Sequence, residues 1–290
     1  MTGRPRVVAL YRYPVKGGTP EPCDALTVLA EGRIAGDRAL GFRFADSGLP
    51  DTAWSKKHGY AALVNTPALA RLAMRFDAGT RQLRIENGDA LLADENIDGA
   101  GRRRLAAAVE RFVLAQADNP LAGHPERLPL ELIGDGITPR YQDSERGEIT
   151  LHSRETLAAI ANAAGDAGLN ELRFRSNIAI EGVEAWAEDR WVGHRLRIGA
   201  LDFDVVRTKV RCLATHANPL TGVFDLPVMQ TLVRGFRQMQ PTMAVALLTR
   251  GNGGEIAIGD PVTLLDRPAL RLTPASPGEI FFRYHCPCLN

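Results

Sequence analysis

The chain has 290 residues, of which 45% are hydrophobic and 24% are charged, and this composition is typical of an ordinary soluble globular protein. The 35 lysines and arginines almost balance the 34 aspartates and glutamates, which gives a formal net charge of +1. That balance excludes a bulk electrostatic attraction to nucleic acid or to an anionic membrane, so an anion site must come from local clustering of cations.

The N-terminal pattern and the cysteines indicate a cellular compartment. The first residues lead directly into a strand-like run, without the apolar region of a signal peptide. No apolar run reaches the roughly 18 residues that are needed to span a bilayer. The four cysteines (Cys23, Cys212, Cys286 and Cys288) do not have the spacing of a disulfide framework. We therefore expect a protein of the reducing cytoplasm with no membrane segment.

The first third of the chain is predicted to be rich in β-structure. Its strand-like segments lie at 7–11, 26–29, 39–44, 72–76 and 82–85. Turn sequences such as Asn87-Gly88 separate these segments. A helix is predicted at 101–116, because Leu105, Val109 and Phe112 recur there at four- and three-residue spacing.

The richest cluster of breakers lies at 118–129, which contains three prolines and one glycine. We place the boundary between two domains there. The sequence therefore predicts a β-rich domain at 1–120, a second domain at 121–266 and a C-terminal tail at 267–290.

The second half is predicted to alternate strands with two short helices. Its strands are expected at 148–151, 178–180, 195–198, 201–206, 243–248 and 262–265. A helix capped by Ser153 follows the first of them, with Leu157 and Ile160 on one face, and ends near Gly165 or Gly168. The remaining predictions are a short helix at 228–237 and a hairpin turn at 251–254.

One cysteine stands in the most informative stretch of the sequence. Cys212 directly follows Arg211 and lies close behind Arg207 and Lys209. Positive neighbours favour the thiolate, which is the form that acts as a nucleophile or as a soft metal ligand. The alternative is a small buried hydrophobic side chain, the usual fate of a free cysteine. His216, four residues later, either lines the same site or lies on the surface.

Four further cations lie beside predicted strands or turns, namely Lys16, Arg38, Arg173 and Arg175. Each of them taken alone is typical of a solvated surface charge. Brought together at one opening, they would form a site for a phosphorylated or otherwise anionic group, with arginine supplying a bidentate fork and lysine a point charge. The helix start at 153–156 would add hydroxyl and free backbone N–H groups.

Several segments, in the same order along the chain, resemble the MOSC superfamily and in particular the two-part architecture of the amidoxime-reducing component family. They are YPVK at 13–16, GDR at 36–38, RFRSN at 173–177, AEDRW at 187–191, RLRIG at 195–199, RC at 211–212, NPLTG at 218–222 and GEIAIGDPV at 254–262. The resemblance implies a mostly β fold of the α+β class. In that fold an N-terminal β-barrel-like subdomain precedes a MOSC β-barrel with flanking helices.

The resemblance also implies a molybdenum cofactor of the molybdopterin type. It makes Cys212 both the metal ligand and the catalytic residue, because a thiolate suits a soft metal site. The residues expected to bind the cofactor are Lys16, Arg38, Ser153, Thr156, Arg173, Arg175, Asn177 and Arg211.

The activity implied by the resemblance is the reduction of N-hydroxylated compounds with cleavage of the N–O bond. The sequence has no dinucleotide or flavin motif, so we expect a separate electron donor of the ferredoxin, flavodoxin or cytochrome type. One alternative is a cofactor carrier or sulfur-transfer protein that holds a persulfide on Cys212 or on the Cys286 and Cys288 pair. Another is a β-barrel interaction module that has lost its cofactor.

Overall fold

The computed structural model describes residues 3–48, 50, 52–117 and 119–265. The first-half strands are β1 Arg6–Arg12, β2 Val15–Lys16, β3 Glu21–Cys23, β4 Ala25–Val28, β5 Leu40–Arg43, β6 Leu72–Asp77, β7 Gln82–Asn87, β8 Ala90–Asn96 and β9 Glu131–Ile133. Those of the second half are β10 Ile149–Ser153, β11 Ile178–Glu181, β12 Arg195–Ile198, β13 Leu201–Val210, β14 Thr242–Arg250, β15 Gly254–Ala257 and β16 Val262–Leu265. The α-helices of these residues are α1 Gly99–Leu114, α2 Arg154–Ala164 and α3 Val228–Gly235.

The strands form one large sheet and three small ones. The large sheet has eight strands in the order β16-β12-β13-β14-β10-β11-β1-β3, and the small sheets are β15-β4, β2-β5-β9 and β6-β7-β8. Most neighbours are antiparallel, but β10 pairs with β11 and β2 pairs with β5 in parallel. The expected mostly β, α+β class is confirmed.

The large sheet differs from the expected barrel, because no ladder among the described strands closes it. Its two outermost strands are β16 and β3. An isolated bridge between Arg6 and Pro261 joins the start of β1 to the region where β16 begins. Three backbone hydrogen bonds accompany it, from Val7 N to Asp260, from Gly259 N to Val7 and from Val262 N to Pro5. Pro261 has no backbone N–H, which limits pairing at that point.

The three helices confirm the sequence predictions to within two residues. Helix α1 begins two residues early, because the side chain of Asp98 accepts a hydrogen bond from Gly101 N and caps it. Ser153 caps α2 by accepting from Thr156 N, and Gly165 ends the helix in a left-handed conformation.

The glycine-rich segment at 251–254 is a turn but not a hairpin, so that prediction is wrong. Strand β14 pairs with β10 and β13, whereas β15 crosses to pair with β4. Gly253 has φ +80° and packs so closely that a Cβ atom would lie 2.2 Å from the carbonyl oxygen of Val28. The backbone contact with the first half therefore redirects the chain away from its neighbour in sequence.

Two main hydrophobic cores form the molecule. One joins the β6-β7-β8 sheet to α1 and includes Leu69, Met74 and Val109, and the other lies against the large sheet and includes Phe203 and Val245. Strands β1 and β4 contribute to the second core through residues such as Val7, Leu10, Leu26 and Val28, so the start of the chain pairs with the second half. The boundary near residue 120 stays a prediction, and the tail at 267–290 lies outside the described residues.

No described helix combines the length and the hydropathy that a bilayer span requires.

Candidate active site in a cationic cavity

A cavity of about 300 Å³ lies where segments of both halves meet. Eight cationic residues line it, against two carboxylate residues, Asp143 and Glu148. The cations are Lys16, Arg38, Lys57, Arg173, Arg175, Arg207, Lys209 and Arg211. Such an excess of positive charge in a concave site attracts an anionic ligand.

The first half places its cations through two adjacent backbone segments. Lys16 lies on β2, which pairs in parallel with β5 so that Lys16 is opposite Gly41. Arg38 N donates to the carbonyl oxygen of Tyr13 at 2.6 Å, and Tyr13 N donates to Asp37 Oδ1 at 2.8 Å. These bonds hold the YPVK and GDR segments side by side, although more than twenty residues separate them in sequence.

Arg38 and Arg175 share an uncommon backbone conformation and a common aromatic partner. Both have φ +51°, a left-handed conformation that non-glycine residues rarely adopt and that costs about 1–3 kcal/mol. Both guanidinium carbons lie 4.3 Å from the ring centroid of buried Tyr13, and Arg38 Nη2 donates to the carbonyl oxygen of Arg175 at 3.2 Å. Strain at two ligand-facing arginines is typical of a functional site.

Cys212 lies just after β13 and its thiol is partly exposed. Its carbonyl oxygen accepts hydrogen bonds from Thr215 N and Thr215 Oγ1, both at 3.0 Å, which start the 3₁₀ helix Leu213–His216. The residue before it, Arg211, donates its backbone N–H to Pro241 at 2.7 Å. The backbone that carries the thiol is therefore held in place at the wall of the cavity.

Two arginines of this wall have no carboxylate partner among the described residues. Arg175 donates to the carbonyl oxygen of Gly18 at 2.6 Å, and Arg211 donates to those of Met243 and Phe174 at 2.7 and 2.9 Å. Burial lowers the pKa of Arg211 to about 10, and burial together with the charge of Arg38 lowers the pKa of Arg175 to about 10. Two partly buried positive charges that no described carboxylate contacts are stabilised by a bound anion.

Most of the other cations contact carboxylates. Lys16 Nζ contacts Asp143 Oδ1 at 2.8 Å, while Arg207 and Lys209 share the buried carboxylate of Glu148. Burial lowers the pKa of Lys16, and the neighbouring Asp143 opposes that shift. Lys16 pairs with a carboxylate whose side chain is 70% exposed, so the pair lies at the mouth of the cavity.

The structure brings together most of the residues that the sequence assigned to cofactor binding. Those that line the cavity are Lys16, Arg38, Arg173, Arg175, Asn177, Arg211 and Cys212. Arg173 donates to the carbonyl oxygen of His216 at 2.9 Å and to Asp225 at 2.6 Å, and its buried Nε has no partner in the part of the chain that the structure describes. The amide of Asn177 joins three strands, because it accepts from Thr150 and donates to the carbonyl oxygen of Tyr11.

Ser153 and Thr156 do not line this cavity. Both are fully buried, and Ser153 Oγ donates to the carboxylate of Glu188 at 3.0 Å. Thr156 Oγ1 accepts from Trp186 N at 2.7 Å. Their hydroxyl groups are therefore used to cap α2 and to hold the segment around Glu188, which differs from the expected contact with a ligand.

The sequence left two positions open for His216, in the site or on the surface, and the structure shows neither. It is buried, and its Nε2 accepts a hydrogen bond from Met229 N at 3.1 Å, so it fixes α3 to the segment after Cys212. Burial lowers its pKa, with a further contribution from the charge of Arg173. A buried neutral imidazole that accepts a backbone hydrogen bond has a structural role here.

Sequence reasoning assigned no role to three residues of the site, namely Tyr13, Asp37 and Asp143. The first two belong to the YPVK and GDR segments, so the resemblance contained a signal for them. Asp143 lies in the charged run at 142–146, where nothing in the local pattern distinguishes it from a solvated surface residue. Only the fold reveals its contact with Lys16, 127 residues away.

The fold and the cavity define a mostly β protein with one thiol among clustered cations. The described residues contain no group of three or more His, Cys, Asp or Glu side chains that could hold a metal ion. The cavity instead combines the one thiol of Cys212 with cations that could hold an anionic group.

Residues 138–263 match the family model described as the MOSC domain, and the resemblance drawn from the sequence is confirmed. The human mitochondrial amidoxime-reducing component 1 is 29% identical over 144 residues, which are 46% of this chain and 42% of that protein. The human mitochondrial amidoxime reducing component 2 is 25% identical over 133 residues, which are 46% of this chain and 38% of that protein. The chain thus spans less than half the length of these curated relatives.

A crystal structure of the YuaD protein from Bacillus subtilis is also similar, with 11% identity and a TM-score of 0.41 over 90% of this chain and 94% of that chain.

Proposed function

We propose that the cavity binds a molybdopterin-type molybdenum cofactor, and that the protein reduces N-hydroxylated compounds with electrons from a separate protein. One observation carries this proposal: partly exposed Cys212 shares a cavity with Arg175 and Arg211, and no carboxylate of the described residues contacts either arginine. The names of the two human relatives support the substrate class, and the MOSC match covers the segment that contains Cys212.

The residues of the cavity fit such a cofactor in three respects. The thiolate of Cys212 is a soft ligand of the kind that molybdenum prefers. Arg175 and Arg211 offer positive charge to a phosphate, and the buried Nε of Arg173 is a donor without a partner among the described residues. Gly17 lines the cavity with φ +76°, and a Cβ atom there would lie 2.9 Å from Ala62 Cα. Its lack of a side chain lets the two segments of that wall pack closely.

The residues divide between holding the cofactor and holding the substrate. Cys212 would bind the metal, while Arg175, Arg211 and the Lys16 ammonium group would bind the anionic part. When bound, the cofactor supplies the two-electron chemistry that cleaves the N–O bond. An apolar wall of Ala62, Leu63, Val64 and Ala214 remains for the body of the substrate and excludes water from it.

The overall reaction consumes two electrons and two protons. An N-hydroxylamine (R–NHOH) gives the amine (R–NH₂) and one water molecule, and an amidoxime gives an amidine and water. Because the nitrogen is reduced and the oxygen leaves as water, the protein needs an external electron donor in every turnover.

The test is metal and pterin analysis of protein from a host that makes the cofactor, followed by a turnover assay. Benzamidoxime is the probe substrate and reduced methyl viologen supplies the electrons. We expect about one molybdenum and one pterin per chain, and conversion of benzamidoxime to benzamidine. Protein that carries neither metal nor pterin after expression in such a host would contradict the proposal and favour an interaction module.

A sulfur-transfer function is the second candidate, because the thiol of Cys212 is partly exposed and therefore accessible to a sulfur donor. Mass spectrometry separates the two functions. A persulfide adds about 32 Da to the peptide that contains Cys212 and is removed by a reductant, whereas the oxidoreductase predicts an unmodified peptide.

A further inference from the structure

Exposed apolar side chains are concentrated in one short stretch of the molecule. Of the thirteen large apolar residues exposed in the described part of the chain, seven lie between residues 210 and 239. Six of them occupy loops, turns and the end of β13, and we call them the apolar collar: Val210, Leu213, Leu220, Val223, Phe224 and Met239. Clusters of this kind mark interaction sites, because soluble proteins otherwise scatter their exposed apolar side chains.

The apolar collar borders the opening that leads to Cys212. Val210 lines the cavity itself, and Leu213 directly follows the cysteine. The hydrogen bond from Arg211 N to Pro241 places the turn that contains Met239 next to the same strand end. A protein seated on this collar therefore contacts the chain within two residues of the thiol.

The charge around the apolar collar is positive. Residues 207–240 contain five lysines and arginines but a single acid, Asp225, which pairs with Arg173. Arg234 and Arg237 are exposed, and the side chain of Arg207 is 47% exposed although it pairs with buried Glu148. The exposed acid Asp143, at the mouth, is likewise paired with Lys16. A complementary partner is therefore acidic.

We propose that the apolar collar and the cations around it are the docking surface for an acidic electron-donor protein. An apolar centre with a charged rim is the usual anatomy of a protein interface, and the reaction requires two electrons from outside in each turnover. This inference rests on the proposed function. An acidic donor bound there delivers its electrons next to the residue that would bind the metal.

A protein partner suits this surface better than a lipid bilayer. Leu220 and Val223 lie on an irregular loop, and the carbonyl oxygen of the Asn218 side chain is occupied by the backbone N–H groups of Leu220 and Thr221. Irregular backbone of this kind does not enter the hydrocarbon of a membrane. The charged and polar groups of a partner protein can instead form hydrogen bonds with the polar groups of this loop.

The experiment compares electrons delivered by a protein with electrons delivered by a small molecule. The cofactor-loaded protein is assayed with benzamidoxime and either an acidic two-iron ferredoxin kept reduced or reduced methyl viologen, which needs no docking. Leu220→Glu and Met239→Glu place negative charge on the apolar collar. The control is Leu91→Glu, which changes another exposed leucine, on β8, outside the stretch from 210 to 239.

We expect each collar variant to lower the ferredoxin-driven rate at least about tenfold, through a higher KM for ferredoxin, and the Leu91 control to leave it unchanged. The viologen-driven rate should stay within about twofold in all variants. Raising the ionic strength from about 0.05 to 0.5 M should lower only the ferredoxin-driven rate. Titration calorimetry with oxidised ferredoxin should show weaker binding to the collar variants, without any turnover.

Three results would overturn the docking surface while leaving the proposed function intact. One is equal ferredoxin-driven rates in the collar and control variants. Another is a viologen-active protein that none of three acidic donors (a ferredoxin, a flavodoxin and a heme protein) can reduce. The third is binding to phosphatidylserine vesicles that the collar variants lose while donor-driven turnover is unaffected. Absence of viologen-driven turnover in the wild type would instead contradict the proposed function itself.

Discussion

The two walls of the cavity carry similar cations but balance them differently. On the first-half wall, Arg38 pairs with Asp37 and Lys16 pairs with Asp143. On the second-half wall, Arg175 and Arg211 donate to backbone carbonyl oxygens, and neither contacts a carboxylate of the described residues. The two walls therefore differ in how much of their positive charge is in contact with a carboxylate.

This difference indicates that the two walls have different roles in binding. A cation that already has a carboxylate partner gains less from an anionic ligand than a buried cation without one. The second-half wall, which also holds Cys212, should therefore supply most of the binding free energy for the cofactor. The first-half wall should mainly set the shape and the position of the site. The predictions below test this comparison, from the largest expected effect to the smallest.

Replacing the thiol should have the largest effect, because it removes the metal ligand from the second-half wall. In Cys212→Ala we expect turnover of benzamidoxime to fall by more than about 100-fold, since loss of a ligand exceeds the 10–100-fold cost of losing an outer-shell partner. Cys23→Ala is the matched control, because Cys23 is the other free cysteine of the described residues and lies outside the cavity. A fully active Cys212 variant would contradict the assignment.

The next prediction compares Arg175, which contacts no carboxylate of the described residues, with Arg38, which pairs with Asp37. Arg175→Gln should lower the affinity for the cofactor about 10- to 100-fold, because a hydrogen bond to a charged group contributes about 1.5–3 kcal/mol. Arg38→Gln should cost clearly less, since Asp37 already balances that charge. Both residues have φ +51°, so the backbone strain is matched. Pterin fluorescence during dialysis measures retention, and a larger loss at Arg38 would reverse the comparison.

The close backbone packing on the first-half wall should contribute to the free energy of unfolding. In Gly17→Ala, the new Cβ atom lies 2.9 Å from Ala62 Cα and φ is +76°, so we expect a loss of about 3 kcal/mol. Gly88→Ala also has a positive φ, +58°, but meets nothing within 4 Å, and it should cost about 1 kcal/mol. Urea unfolding measures both. Equal losses of unfolding free energy in the two variants would show that the wall relaxes to accommodate the new methyl group.

The smallest effect concerns the pH dependence of Lys16. Burial lowers the pKa of this lysine and the Asp143 carboxylate opposes the shift, so Asp143→Asn should lower the pKa of Lys16 further. Affinity for an anionic cofactor is lost as the pH rises through that pKa, because the ammonium group loses its charge. The variant should therefore release cofactor at a lower pH than the wild type, with no difference at about pH 6. Identical profiles would show that Lys16 contributes no charge to binding.

The sequence indicated which segments line the cavity better than it indicated the contacts that their side chains make. The segments that contain Lys16, Arg38, Arg175 and Cys212 each have a local pattern of strand, turn and cation, and the fold brings all four to one cavity. The local sequence pattern cannot show that the Arg38 side chain already pairs with the Asp37 carboxylate. Nor can it reveal the shared contact with Tyr13, because that depends on side-chain direction.

The errors have a common physical origin in long-range contacts. Ser153 and Thr156 have the residue types of an anion-binding helix start, but Glu188, 35 residues later, accepts the Ser153 hydroxyl instead. The segment at 251–254 has hairpin chemistry, but close backbone packing against Val28 sends β15 to pair with β4. In both cases a distant partner competes successfully with the local preference.

X-ray absorption at the molybdenum edge tests the central claim most directly, because it counts the sulfur atoms bound to the metal. Wild-type protein and Cys212→Ser, both from a host that makes the cofactor, would be compared at equal metal content. We predict one sulfur neighbour fewer in the variant, replaced by a light atom. An unchanged sulfur count would show that Cys212 does not bind the metal and would contradict the account.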